Sequence, residues 1–372
     1  MSKHPQLERI VDALLPAIAT LAALAVGAVM LALLRANPLE AYAALIEGAF
    51  GSRNAIADTL VKGTPLLMVG LGICIAFRGG VINIGGEGQL VAGALGATWV
   101  ALALPGWPGW IIIPVCMTAG FLAGAVWGGI PGALKAYFNV NEILSTIMLN
   151  QIAVQGMNFL LRGPMIDPIQ LQAASRIPQT ARFARAADLP RLVPTRLHLG
   201  TAVAVILAVL VYIFLWRTTY GYRIRAVGLN PHAARYAGIR VERYIVLSLL
   251  LSGAFAGLGG SIQVLGVHHR MFTDGSATGF TGGAGFNGIV AALFGKLHPL
   301  GTIPASFLFG ALLVGANKLQ RAMQVPSALI TALNGLVVVF VVSSEIWSRR
   351  RAQRRVTVAE EVSPAAEAEA AA

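Results

Sequence analysis

Gly228-Leu-Asn-Pro-His-Ala-Ala-Arg-Tyr-Ala-Gly238 is a polar island between two apolar runs, Leu199 to Trp216 and Tyr244 to Val267. Around it lie six arginines, Arg217, Arg223, Arg225, Arg235, Arg240 and Arg243, against one acid, Glu242. Short cytoplasmic loops of membrane proteins collect Lys and Arg in this way, so 217–243 reads as an inside loop between two transmembrane helices. Asn230 brings the side-chain acceptor of an N-cap. Pro231 suits the first helical position, where its missing N–H costs nothing, and Gly238 suits a left-handed stop. The spacing predicts a helix over 231–237, about two turns long. A loop that only joins two spans has no folding need for a helix so sharply bounded, and the reading is a docking element.

Hydrophobic residues make up 56% of the 372 and charged residues 12%, against about 25% charged in soluble domains. Several apolar runs reach the ~20 residues that a helix needs to cross a hydrocarbon core. The fold class is all-α, a polytopic helical membrane protein; the continuous apolar runs exclude a β-barrel, whose strands alternate over ~10 residues. About ten spans fit, near 13–34, 60–78, 84–104, 110–131, 143–161, 197–216, 244–267, 282–297, 300–318 and 326–346. The first is longer than a signal-peptide core and reads as an uncleaved span. Both termini then lie inside, in the cytoplasm. That side holds Lys3, Arg9, Arg78, Lys135, the six loop arginines, Lys296 and the five arginines between Arg349 and Arg355, sixteen of 28 basic residues. The net charge of +12 is therefore assigned to orientation, not to nucleic acid. Residues 1–355 are expected to form one transmembrane domain. The Ala- and Glu-rich stretch 356–372 is expected to be a disordered cytoplasmic tail.

One loop opposes the count. Residues 162–196 fall outside yet carry Arg162, Arg176, Arg182, Arg185, Arg191 and Arg196, with Asp167 and Asp188. Five prolines within it argue against another span. Two readings stay open: a positive surface for an acidic partner, or an ordinary solvated loop.

Catalytic signatures are missing: no HExxH, no GxSxG, no Gly-x4-Gly-Lys-Ser/Thr. No catalytic residue, bound cofactor or metal site is assigned. His268 and His269 alone do not make a ligand set, and Cys74 and Cys116 sit in apolar runs. Gly120, Gly124, Gly128 and Gly132 fall four apart, a stripe on which a second helix can pack closely; Gly253 and Gly257 repeat the spacing. Two glycine-rich junctions, near 79–89 and 274–288, predict broken or re-entrant segments, because irregular backbone at membrane depth is tolerated only inside protein or beside a wet cavity. They contribute Asn83, Glu87, Gln89 and Asn287 as candidates for a translocation path, and the start of the fifth span adds Asn141, Glu142 and Asn150. For Glu87, a functional intramembrane acid and a charge that caps the third helix are both open.

Three motifs carry a family resemblance: Gly80-Val-Ile-Asn-Ile-Gly-Gly-Glu-Gly-Gln-Leu90, Asn141-Glu-Ile-Leu-Ser-Thr-Ile-Met-Leu-Asn150 and Ala226-Val-Gly-Leu-Asn-Pro-His-Ala-Ala-Arg-Tyr-Ala-Gly-Ile239. From about Pro65 to Glu345 the chain resembles permease subunits of bacterial ABC importers for simple sugars and nucleosides. Asn-Ile-Gly-Gly-Glu-Gly-Gln is more similar to the nucleoside branch than to the ribose branch. The resemblance implies an inner-membrane permease coupled to an ATPase subunit, which holds the ATP and magnesium. It also implies a second permease, forming a heterodimer, and an extracytoplasmic solute-binding protein. It assigns the coupling loop to Gly228, Asn230, Pro231, Ala233, Ala234, Tyr236 and Gly238. Ala233, Ala234 and Gly238 are expected to sit small against the ATPase. An ion-coupled secondary transporter is the competing reading; it needs titratable groups along its path, for which only Glu87 and Glu142 qualify, and it gives the capped loop no role. An intramembrane enzyme lacks any nucleophile–base constellation.

Overall fold

The computed structural model describes residues 21–22, 24–33, 36–173 and 176–324, with isolated positions from 332 to 343. Every regular element among them is helical; pairing is limited to two isolated bridges, Gln179 with Phe272 and Arg191 with His198. Two compact units are distinguished, 46–315 and 1–45 with 316–372. In the second, Leu31, Ala41 and Leu319 are fully buried together, flanked by Met30, Tyr42, Leu45 and Met323.

In chain order the helices are α1 (Leu24–Leu33), α2 (Pro38–Phe50), α3 (Arg53–Arg78), α4 (Gly86–Ala103), α5 (Gly109–Phe138), α6 (Glu142–Arg162) and the short α7 (Pro168–Gln172). After the outer loop come α8 (Leu199–Arg217), α9 (Thr219–Leu229), α10 (Pro231–Tyr236), α11 (Val241–Gln263), α12 (Ala277–Thr281), α13 (Ala284–Phe294) and α14 (Pro299–Met323). Local chemistry starts many of them. Ser52 Oγ accepts from Ala55 N at 3.1 Å at the head of α3, and Asn141 Oδ1 accepts from Ile143 N at 2.9 Å at the head of α6.

Six described helices are long and apolar enough to span a bilayer: α3, α5, α6, α8, α11 with its π-helical extension to His268, and α14. They match the expected second, fourth, fifth, sixth, seventh and ninth spans. Among the described residues these six are found, and the count of ten is not confirmed. α4 occupies the third position, but Glu87 and Gln89 in its first turn dilute its apolar run. The expected eighth span, 282–297, is corrected: α13 has 11 residues and reaches about 16 Å, half of a ~30 Å core. The first span is described mainly over α1, the expected tenth span only at isolated positions from 332 to 343, and the tail lies outside the described residues.

α11 is the centre of the larger unit. Backbone meets backbone between it and two neighbours, α5 and α4, because glycines face one another. A Cβ at Gly124 of α5 would overlap the Gly253 carbonyl oxygen and lie 2.7 Å from Gly257 Cα. A Cβ at Gly128 would lie 2.9 Å from Gly253 Cα, and one at Gly93 of α4 would run into Gly257. The stripe read from the spacing is thus an intramolecular seam between α5 and α11, with α4 against the same glycine face.

The two ends of α11 define the two ends of this unit. At its start lie the 217–240 segment and the end of α3, where a Cβ on Gly79 would meet Ser248 Cβ at 2.8 Å. At its far end the 176–198 segment is folded over 264–273 by main-chain bonds, Thr180 N to Met271 O (2.8 Å), Phe183 N to His269 O (3.0 Å) and Leu189 N to Leu265 O (3.1 Å). The loops 217–243 and 162–196 thus occupy opposite ends, as the spans require.

Candidate coupling loop and translocation site

The helix foreseen over 231–237 is α10, Pro231–Tyr236. Asn230 is extended (φ −155°, ψ 101°) and its Oδ1 accepts from Ala233 N at 3.0 Å, with Pro231 in the first turn. At the other end Ile239 N reaches Ala234 O and Gly238 N reaches Arg235 O, both at 3.0 Å. This paired closure needs a left-handed residue, which Gly238 supplies at φ +77°. A Cβ there would touch nothing, so backbone conformation alone calls for glycine.

The faces of α10 differ from expectation at one position. Ala233, His232 and Tyr236 point to solvent, Tyr236 at 94% exposure, and Leu229 just before the cap is 88% exposed. Ala234 is 4% exposed, turned inward where α10 packs on α9 and α11. The outward surface available to a partner is therefore Leu229, His232, Ala233 and Tyr236.

Gly228 does something else. A Cβ there would overlap the Arg78 carbonyl and lie 2.7 Å from Gly80 N, and one on Gly80 (φ +74°) would lie 2.8 Å from Gly228 Cα. The end of α9 thus rests directly on the backbone where α3 breaks. Arg78 and Arg225 both lie over the Trp216 ring, at 5.4 and 5.5 Å. Arg78 Nε also donates to Leu297 O at 3.3 Å, which ties in the turn between α13 and α14.

Between α3 and α4 the chain is non-helical from Gly79 to Gly85, as the glycines predict. Asn83 and Gln89 exchange amide hydrogen bonds at 2.9 and 3.1 Å, and Asn83 Nδ2 also donates to Ser252 Oγ at 2.8 Å. Asn150 Oδ1 accepts from Gly88 N at 2.8 Å while its Nδ2 donates to Ile84 O at 2.9 Å. These side chains replace the helical partners that the broken backbone lacks. Asn83, Gln89 and Asn150 are 0, 1 and 5% exposed.

Glu87 belongs to the same knot. The N-cap of α13 is Gly283, which has no side chain to cap with. Glu87 Oε1 supplies the acceptor from another helix, taking Gly285 N at 3.0 Å and Phe286 N at 3.5 Å. The capping role left open for Glu87 is present, but the helix capped is α13. Two helix N-termini, of α4 and α13, converge on Asn150 and Glu87, and their dipoles favour negative charge there. Beside this knot Phe286 is 50% exposed and Asn287 is half-buried. Asn141 and Glu142 lie apart from it, Asn141 as the cap of α6 and Glu142 paired with Lys135 at 3.0 Å. Ser252 and Gln263 were not singled out from the sequence; Gln263 Nε2 donates to Phe280 O at 2.6 Å and fixes α12 to the end of α11.

At the opposite end His268 packs edge-on to Phe272, and His269 Nδ1 lies 2.8 Å from Asp188 Oδ1; among the described residues no three potential ligands form a metal cluster. His198 is 1% exposed, and both its ring nitrogens are buried without a hydrogen-bond partner among the described residues. Burial, with a smaller push from His269, lowers its pKa to about 4. The unfolded chain, near 6.5, takes the proton first. Stability is expected to fall as pH drops from about 6.5 to about 4, by a total of about 3 kcal/mol for this one group. His198→Phe keeps a ring between Gly200 and Gly266 and removes the titration. Its thermal midpoint is expected to shift less than that of the unaltered protein between pH 7 and pH 5. Equal shifts would assign the acid sensitivity elsewhere.

A family described as "Branched-chain amino acid transport system / permease component" matches residues 55–342. The chain is 37% identical over 338 residues to the guanosine ABC transporter permease protein NupP of Bacillus subtilis, covering 91% of this chain and 95% of the relative. It is 36% identical over 347 residues to the glucose ABC transporter permease protein TsgB13 of Haloferax volcanii, covering 90% and 88%. It is also similar to a second Bacillus subtilis protein, the guanosine ABC transporter permease protein NupQ, at 28% identity over 258 residues, covering 68% and 79%.

Proposed function

The chain belongs to the branched-chain amino acid transport system permease family, and from its similarity within that family to a guanosine permease we propose that it carries nucleosides across a bacterial inner membrane. It is a multi-pass membrane protein, the permease subunit of an ABC importer, and not an enzyme. ATP is hydrolysed on a separate subunit, which docks on Leu229, His232, Ala233 and Tyr236 with 217–243 and both termini in the cytoplasm. A second, different permease completes the path, in keeping with the similarity to two permeases of one organism. A solute-binding protein meets the exposed arginines of 162–196.

The observation that supports a neutral solute is the occupation of the two converging helix N-termini. Such ends hold the carboxylate of an amino-acid substrate in other transporters. Here Glu87 and Asn150 already fill them, and the half-open groups beside them are an aromatic ring, Phe286, and an amide, Asn287. A ring to stack on and an amide to bond with suit a nucleobase. The test is uptake by proteoliposomes that hold the complete importer, with ATP inside and the solute-binding protein outside. Labelled guanosine is expected to accumulate at constant ATP whether or not the proton gradient is collapsed, and unlabelled leucine is expected not to compete. Uptake that disappears with the proton gradient at unchanged ATP would support ion coupling instead.

A further inference from the structure

We propose that the cavity between α9, the 237–240 turn and the first turn of α11 binds the phosphodiester of an anionic phospholipid. The cavity has a volume of about 430 Å³ and is lined by Tyr222, Arg223, Gly238, Arg240, Arg243 and Tyr244, among others. That is within the range of small-ligand pockets, roughly 300–1,000 Å³. Its three arginines come from three segments, and among the described residues none of them has an acidic partner. Arg223 Nη1 donates to Tyr244 Oη at 3.0 Å, a neutral partner that aims the guanidinium without cancelling its charge. The one acid of the loop, Glu242, is engaged by Arg235 at 2.5 Å. A concave site thus holds three uncompensated planar donors, the geometry that suits phosphate oxygens.

Two further features favour a lipid. α11 begins at this wall, with Arg240 at its N-cap position and Arg243 in its first turn, so two of the three arginines are fixed by the start of one 23-residue helix. Tyr220 and Tyr222 are 57% and 61% exposed next to it, and exposed aromatic rings at the end of a spanning helix mark headgroup depth. Orientation in the membrane asks only that arginines be numerous on one side; it does not ask that they converge on one hollow. Gly238 and Ile239 line the cavity and also close α10, so a lipid bound here holds the docking helix at the headgroup plane.

The experiment is native mass spectrometry of the complete importer, released from mixed phosphatidylglycerol and phosphatidylcholine. The unaltered complex is expected to retain phosphatidylglycerol preferentially. The double variant R240Q/R243Q is expected to lose about thirtyfold of that preference, at roughly fivefold per arginine. Arg217→Gln, which removes a charge of the same loop outside the cavity, is expected to keep it, and so excludes a general charge effect. Arg243→Lys is the milder variant, expected to fold normally and to show an intermediate loss because the planar fork is gone. Equal retention of both lipids by the unaltered complex, or a preference that survives R240Q/R243Q, would overturn the proposal. Displacement of all bound phosphatidylglycerol by inorganic phosphate would overturn the lipid in favour of a free anion. Retention by the permease alone but not by the assembled complex would overturn it in favour of a protein contact with the ATPase.

Discussion

Gly124→Leu is expected to leave almost no assembled permease in the membrane. Adding methylenes to a packed core typically costs about 1–3 kcal/mol where side chains can shift. At Gly124 the obstacle is the backbone of α11: the first added carbon overlaps the Gly253 carbonyl oxygen and lies 2.7 Å from Gly257 Cα. Backbone cannot yield without separating α5 from α11, so the expected cost approaches the whole stability of a typical domain, about 5–15 kcal/mol. Gly129 of the same helix is the control. A Cβ there finds only Leu250 Cδ1, at 3.8 Å, and Gly129→Leu is expected to accumulate nearly as well as the unaltered protein. Quantifying both variants in membranes and by size-exclusion chromatography checks the pair. Normal levels of Gly124→Leu would show that the seam does not hold these helices together.

The second large effect separates the two faces of α10. Ala234→Glu is expected to reduce folded permease sharply, since an unpaired charge in a buried site costs several kcal/mol and Ala234 is buried against its own chain. Tyr236→Ala removes a side chain that touches little of its own subunit. It is expected to leave membrane abundance unchanged while the ATPase copurifies at a small fraction of its usual yield. Ala233→Glu, on the same outward face, is expected to behave like Tyr236→Ala. Measuring permease abundance and ATPase retention on one preparation decides the matter. Loss of abundance in Tyr236→Ala, with the ATPase still bound to what remains, would make α10 a structural plug.

The sequence made local chemistry legible and left distant chemistry hidden. α10 was readable because its signals, Asn230, Pro231 and Gly238, act within a few residues of themselves. The seam of α5 was readable because spacing alone puts its glycines on one stripe. The expected span 282–297 is longer than α13 because hydropathy outweighs the stop in it: Gly295 ends the helix, Lys296 and Leu297 turn left-handed, and α14 begins at Pro299. The cap of α13 could not be read at all, since Glu87 reaches it from 198 residues away. Asn83 and Asn150 announced themselves as amides in apolar surroundings, but their bonding to broken backbone depends on which helices meet. The inward turn of Ala234 is of the same kind, set by packing on α9 and α11 and not by the cap residues.

The outer segment 176–198 is attached to the end of α11 in two ways: Thr180, Phe183 and Leu189 donate their amide hydrogens to the carbonyls of Met271, His269 and Leu265, and the side chains of Phe183, Leu189 and His198 are buried. Peptide groups are common to all residues, and the buried side chains are not the arginines, which are exposed, so the anchorage imposes little on the residues that the segment displays outward. Its arginines can be exchanged during evolution without loosening the segment from its support. A lineage that acquires a new solute-binding protein can therefore rewrite the charges facing that protein while inheriting the attachment intact, and divergence among relatives is expected to concentrate on the outward side chains of this stretch.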